Sequence, residues 1–163
     1  MTSAIQLAYE HASRAVGRIQ TVDVGVVSCR EFQRFAYASG DVNPRYFGDD
    51  AVAPPLYLSA VMEWGAGPAN EQLRADGTGG SETAGVPIDG LRLMGAGQDL
   101  ELHHPVTDGT AVTAEVSIDD AKLKQGRSGE LLIMTVLRRF RDHAGSELLT
   151  CRETFIVREE SST

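Results

Sequence analysis

At 163 residues the chain has room for one domain with a real core and is too short for two ordinary ones. Its 42% apolar and 23% charged residues exclude a disordered or fibrous class. With 23 acidic against 15 basic residues, the net charge of -8 would repel a phosphate backbone, so nucleic acid is not an expected partner. No apolar run reaches the roughly 18 residues of a membrane span. Residues 1–20 carry Glu10, His11, Arg14 and Arg18 where a signal peptide needs an apolar stretch, so a cytoplasmic protein with no membrane partner is expected. Cys29 and Cys151 lack CxxC spacing, and His11, His103, His104 and His143 lack HxxxH or HExxH spacing. Two reduced thiols, no metal and no cofactor are therefore expected.

In chain order, residues 19–27 (IQTVDVGVV) are β-rich and partly alternating, and predict a first strand that stops at Ser28. Ser28 with Glu31 three residues on forms a capping box, Phe32, Phe35 and Ala36 recur at helical spacing, and Gly40 supplies a stop. These signals predict a helix over 29–39. Residues 40–55 (GDVNPRYFGDDAVAPP) hold three prolines and two glycines, too many for a regular element, and predict a structured loop. After Pro54-Pro55, residues Leu56, Ala60, Val61 and Trp64 share one helical face, so a buried helix from about 56, loosened near 65–68, should follow.

Residues 76–90 are rich in Gly, Ser and Thr, a composition that predicts a mobile surface loop rather than core. Four strand-like runs come next, over 98–106, 110–124, 130–142 and 147–159, before a short tail at 159–163. Asp108-Gly109, the glycines of 126–129 and Gly145 read as hairpin turns, which predicts an antiparallel meander. The layout is α+β in a single domain over 1–163: an antiparallel sheet wrapped around a central helix, with Leu56, Val61, Met62 and Trp64 as the filling.

Phe35-Ala36-Tyr37-Ala38-Ser39-Gly40-Asp41-Val42-Asn43-Pro44, followed by Ala53-Pro54-Pro55, sharpens this layout. The pattern resembles that of the MaoC-like dehydratases, also called type-2 enoyl-CoA hydratases, which have the hot-dog fold. Their signature is a helix ending in FAxxxGDxNP with a histidine two residues beyond. In the branch similar to the fungal fatty-acid-synthase dehydratase, an APP tripeptide opens the central helix. Gln98 to Val106 and Lys124 to Glu130 resemble the family's Pro-Val strand end and K-x-G-x-x-G hairpin, so the likeness extends over about 15–158.

The resemblance implies a hydro-lyase that reversibly adds water to a trans-2-enoyl thioester on coenzyme A or acyl carrier protein. Such chemistry needs a carboxylate and an imidazole to hold and deprotonate water while C2 receives a proton. Backbone N–H groups at a helix start can stabilise the enolate-like charge on the carbonyl. Carried onto this chain, the catalytic set is Asp41, Asn43 and Tyr46. Pro54, Pro55, Leu56, Tyr57 and Trp64 are the substrate-binding set, with N–H donors sought at Leu56, Tyr57 or Leu58.

Tyr46 occupies the histidine's place. A phenol titrates near 10 and is a weak base at neutral pH, and Arg45 is the adjacent group that could lower it. His103 and His104, adjacent on a strand, point to opposite faces and are expected to lie away from the motif loop. The sequence is similar here to histidine-lacking subunits that hold the acyl chain beside a catalytic hot-dog partner in a hetero-oligomer. Three alternatives stand beside that reading: a self-sufficient homodimer using Asp41 with Tyr46 or a histidine, a non-catalytic thioester-binding scaffold, and a thioesterase using Glu63. A hot-dog sheet leaves an edge strand and a helix face that one copy cannot cover. Light scattering of the purified chain at micromolar concentration should therefore report an oligomer, and a monomer would contradict this.

Overall fold

The computed structural model describes residues 2–159 apart from Ala66, Asp76 and Ser128. Helix α1 (Ala4–Ala15) precedes strand β1 (Gln20–Val26), helix α2 (Cys29–Ala38) and a 3₁₀ turn at Pro44–Tyr46. The one-turn helix α3 (Tyr57–Ala60) follows, with 3₁₀ turns at Met62–Trp64 and Asn70–Gln72. Strands β2 (Leu91–Leu102), β3 (Ala111–Gly126), β4 (Gly129–Asp142) and β5 (Glu147–Glu159) complete the fold. The sheet is antiparallel, in the order β1-β3-β4-β5-β2. Of the tail expected at 159–163, Glu159 closes β5 and the remaining residues lie outside those described.

The core lies on one face of this sheet. Val112, Ala114, Val116 and Ile118 alternate inward along β3. A register shift at Ile118/Asp120 then moves the packed positions to Ala121 and Leu123, as one inserted residue must. Leu132, Met134, Val136 and Phe140 form the matching row on β4, against which Ile5, Ala8 and Ala12 of α1 are buried. That helix was not anticipated, although Ser3 and Gln6 make a reciprocal capping box and the three buried residues share one face.

Five other expectations are corrected. Ser28 begins α2 but its side chain makes no cap bond. Glu31 accepts from the Tyr57 hydroxyl at 3.2 Å instead, and Asp108 Oδ1 takes the Cys29 N–H at 2.7 Å. Asp108-Gly109 is thus no hairpin turn, because β2 pairs with β5 at the far edge and only β3–β4–β5 form a meander. Strand β2 starts at Leu91, earlier than its apolar alternation suggests, and His103 to Val106 fall beyond it. Residues 77–90 form no helix or strand, yet Thr83, Val86 and Ile88 are buried, so the segment contributes to the core despite its composition. Asp76, the first residue of the expected loop, lies outside the described residues.

The fifth correction concerns the central helix. It is α3 plus the following 3₁₀ turn, stopped at Gly65 with φ 54°. Met62 faces inward as expected, but Leu56, Val61 and Trp64 are exposed, and Tyr57 and Leu58 fill the core in their place. Two residues after Val136 and two before Phe140, the inner row of β4 presents Arg138, 3% exposed. Its guanidinium bonds Glu63 of the 3₁₀ turn, Glu153 of β5 at 2.6 Å and the Ser81 carbonyl at 3.1 Å. Removing one partner of a buried ion pair strands the other charges, at a cost of about 3 kcal/mol. Arg138→Ala should lower the urea unfolding free energy by about that amount, whereas Arg14→Ala, in the exposed pair with Glu10, should change it by under ~0.5 kcal/mol.

Candidate active site

The motif loop is launched by the end of α2. Gly40 adopts φ 73°, its N–H bonds the Tyr37 carbonyl at 3.1 Å, and the Asp41 N–H bonds the Ala36 carbonyl at 2.9 Å. This paired closure fixes the direction in which the chain leaves the helix and so places Asp41. Asp41 Oδ1 then accepts the Asn43 N–H at 3.2 Å, and Asn43 Oδ1 accepts the Arg45 N–H at 3.1 Å, capping the turn that carries Tyr46. Beyond it the Val52 N–H returns to the Arg45 carbonyl at 3.0 Å, and the Ala53 N–H bonds the Val106 carbonyl at 2.7 Å. Those two bonds tie the motif loop to the segment that follows β2.

Between them lies a cavity of about 280 Å³. Asn43, Arg45 and Tyr46 contribute from the motif loop, Pro54, Pro55 and Leu58 from the entry to α3, and His103 and His104 from the segment after β2. Leu148 and Leu149 of β5 complete an apolar wall. A mostly apolar pocket with a few convergent polar groups suits a ligand with an uncharged chain and a polar head.

The structure brings Asn43, Tyr46, Pro54 and Pro55 to one cavity, with Asp41 beside Tyr46. It places Leu56, Tyr57 and Trp64 elsewhere. Leu56 is exposed, Trp64 is 40% exposed beside the loop near Pro68, and Tyr57 is fully buried among Phe32 and Phe35. Reversal of the α3 face is the reason, and Leu58 takes the lining position instead. Of the three N–H donors considered, that of Tyr57 is spent on the Pro54 carbonyl at 3.0 Å. The largest departure is at His103 and His104, which share the cavity with the motif loop. The bond pair at Val52 and Ala53 creates that proximity, and spacing in sequence carries no sign of it.

Tyr46 is 8% exposed, and the Asp41 carboxylate lies beside it. Burial and the neighbouring Asp41 carboxylate push its pKa up, and Arg45 opposes them with the smallest effect. Tyr46 therefore remains neutral at physiological pH. Glu63 is engaged by Arg138 outside this cavity, and its pKa is raised chiefly by burial. It is thereby separated from the motif loop.

An antiparallel sheet of this order, packed on a short central helix, is the hot-dog fold. Residues 14–151 match the family model described as the FAS1-like dehydratase domain region, and the chain belongs to that family. No curated protein matches it in sequence. Among solved structures it is similar to the ChsH1-ChsH2 complex from Mycobacterium tuberculosis, with TM-score 0.67 and 14% identity over 98% of this chain and 93% of that one. It is also similar to the HadBC (3R-hydroxyacyl-ACP dehydratase) complex from Mycobacterium tuberculosis, with TM-score 0.63 and 16% identity over 87% and 96%. For the R-hydratase PhaJ1 from Pseudomonas aeruginosa the TM-score is 0.56 and the identity 19%, over 89% and 83%. No helix among the described residues is long and apolar enough to cross a membrane.

The phenols give a direct check on this site. In a near-ultraviolet titration, Tyr57→Phe should remove a transition near pH 12, and Tyr46→Phe should remove one above the ordinary tyrosine value. A Tyr46 transition below pH 9 would mean that the neighbouring carboxylate does not control it.

Proposed function

We propose that the chain is a subunit of an enoyl-thioester hydratase or 3-hydroxyacyl-thioester dehydratase, acting on a coenzyme A or carrier-protein thioester. In this reading it holds the acyl group beside a second hot-dog subunit that keeps an intact GDxNPxH. The neutral Tyr46 phenol beside Asp41, in the place of the motif histidine, carries the reading. Where an imidazole would accept a proton from water, this chain has a phenol whose pKa is raised, and the carboxylate that would orient the imidazole accepts the Asn43 N–H instead. The cavity beneath the loop keeps the apolar wall that an acyl chain needs.

A groove between β1 and α2, bordered by Val24, Val26, Phe35 and Met62, leaves an apolar face for the partner subunit. Hetero-association is favoured, with a homodimer as the alternative, because division of labour accounts for a motif kept at Asp41-Val42-Asn43-Pro44 and altered at Tyr46. Glu63 belongs to the Arg138 cluster, so nothing favours the thioesterase alternative.

Loss of one member of an acid–base pair commonly costs about 10²–10⁴-fold in rate. Alone, the protein should therefore hydrate crotonyl-CoA slowly, and its mixture with a GDxNPxH partner should be active. In that mixture Asp41→Ala should matter little, while substitution of the partner's motif histidine should abolish partner-driven turnover. Tyr46→His should raise the rate of the isolated chain by about 100-fold or more, since it puts an imidazole beside Asp41. Turnover by the unaltered chain at ordinary enzyme rates of about 10 per second, lost in Tyr46→Phe, would overturn the division of labour.

A further inference from the structure

We infer that His104 is a proton-transfer group of the cavity, displaced from the motif position and able to support a slow hydration by this chain alone. The inference rests on the thioester-binding reading of the cavity. His104 Nδ1 lies 2.8 Å from the Glu147 carbonyl oxygen. A carbonyl only accepts, so Nδ1 carries the hydrogen, and the neutral ring keeps its lone pair on Nε2. Nε2 makes no hydrogen bond among the described residues. An imidazole held by one nitrogen to a backbone carbonyl, with the other open, is oriented as a base.

His103 is differently committed. Its Nε2 lies 3.0 Å from Thr150 Oγ1, and that hydroxyl donates to Glu147 Oε1 at 2.8 Å. The hydroxyl's one hydrogen is used, so His103 Nε2 donates to it, and the tip of this ring is occupied. The titratable and charged groups around His104 are Arg45 and Tyr46 from the motif loop, His103 beside it and Glu147 on β5. His103 keeps unbonded only Nδ1, the nitrogen nearer its own backbone, whereas His104 has its open nitrogen at the ring tip, and both rings line the cavity with Asn43, Pro54 and Leu58.

The step balances without a cofactor. As the water oxygen bonds C3 of the enoyl group, Nε2 takes one water proton and the C2–C3 π pair moves onto the thioester carbonyl as an enolate. The imidazolium then delivers that proton to C2, the carbonyl reforms and neutral His104 is restored. The reverse sequence is dehydration.

The test measures the isolated chain with crotonyl-CoA, following turnover and binding separately. His104→Gln keeps a polar side chain of similar size but no base. It should lower kcat by about tenfold or more, leave crotonyl-CoA affinity and the unfolding midpoint unchanged, and abolish an acid limb in the rate–pH profile. His103→Gln should have the smaller effect on kcat. Retained binding with kcat and pH profile unaltered in His104→Gln, or binding with no measurable hydration by the unaltered chain, would overturn the role of His104 alone. Absence of crotonyl-CoA binding would overturn both this inference and the thioester reading.

Discussion

A single guanidinium on the inner face of the sheet constrains much of this molecule. Arg138 stands in the row that otherwise presents Val136 and Phe140 to the core, and a charge there must be met by partners or be expelled. Its partners come from three separate parts of the chain: Glu153 across the strand pair, Glu63 from the turn after α3, and the Ser81 carbonyl from the segment before β2. Gln98 extends the cluster to β2 by donating to Glu153 at 3.1 Å. The turn after α3 and the 77–90 segment are therefore fastened to the sheet through one polar centre rather than by apolar filling alone.

That arrangement explains the short central helix. A longer apolar helix lying over Arg138 would bury the cation without compensation, whereas a turn carrying Glu63 meets it. With the helix reduced to Tyr57–Ala60 and a 3₁₀ turn, its inward face is set by Tyr57, Leu58 and Met62, and Leu58 becomes a lining residue of the cavity. The Tyr57 hydroxyl reaches back to Glu31 on α2, so α2, the motif loop it launches and α3 move as connected parts. The positions of Asn43, Tyr46 and Pro54 follow from these contacts.

Local signals were legible where the chain satisfies itself over a few residues. Gly40 ends α2 because the closure there needs a positive φ, the Asn43-Pro44 turn caps itself, and the long alternating runs of β3, β4 and β5 pair as neighbours. Signals failed where a distant group competed. Ser28 and Glu31 have capping-box spacing, but Asp108 and Tyr57, far along the chain, supply the bonds. The Leu56/Val61/Trp64 stripe has helical spacing, but Arg138 and Glu63 decide which side of so short a helix faces the sheet. Val86 and Ile88 sit in a Gly- and Ser-rich segment whose average hides two core residues. The proximity of the motif loop to His103 and His104 depends on tertiary bonds at Val52 and Ala53, which no spacing encodes.

The same cavity therefore holds two kinds of titratable site with opposite consequences. At the motif position burial and the Asp41 carboxylate both stabilise the protonated phenol, so the group cannot take a proton from water near neutral pH. Across the cavity the Glu147 backbone fixes which nitrogen of His104 is protonated and leaves the other free. Placing a base on the segment after β2 demands no change in the loop that positions Asp41 and Asn43, because the Ala53–Val106 link between them is a backbone hydrogen bond. In the proposed reading a hot-dog subunit can in this way lose the imidazole of its motif, keep the loop over its cavity, and still carry an oriented histidine in the lining of that cavity.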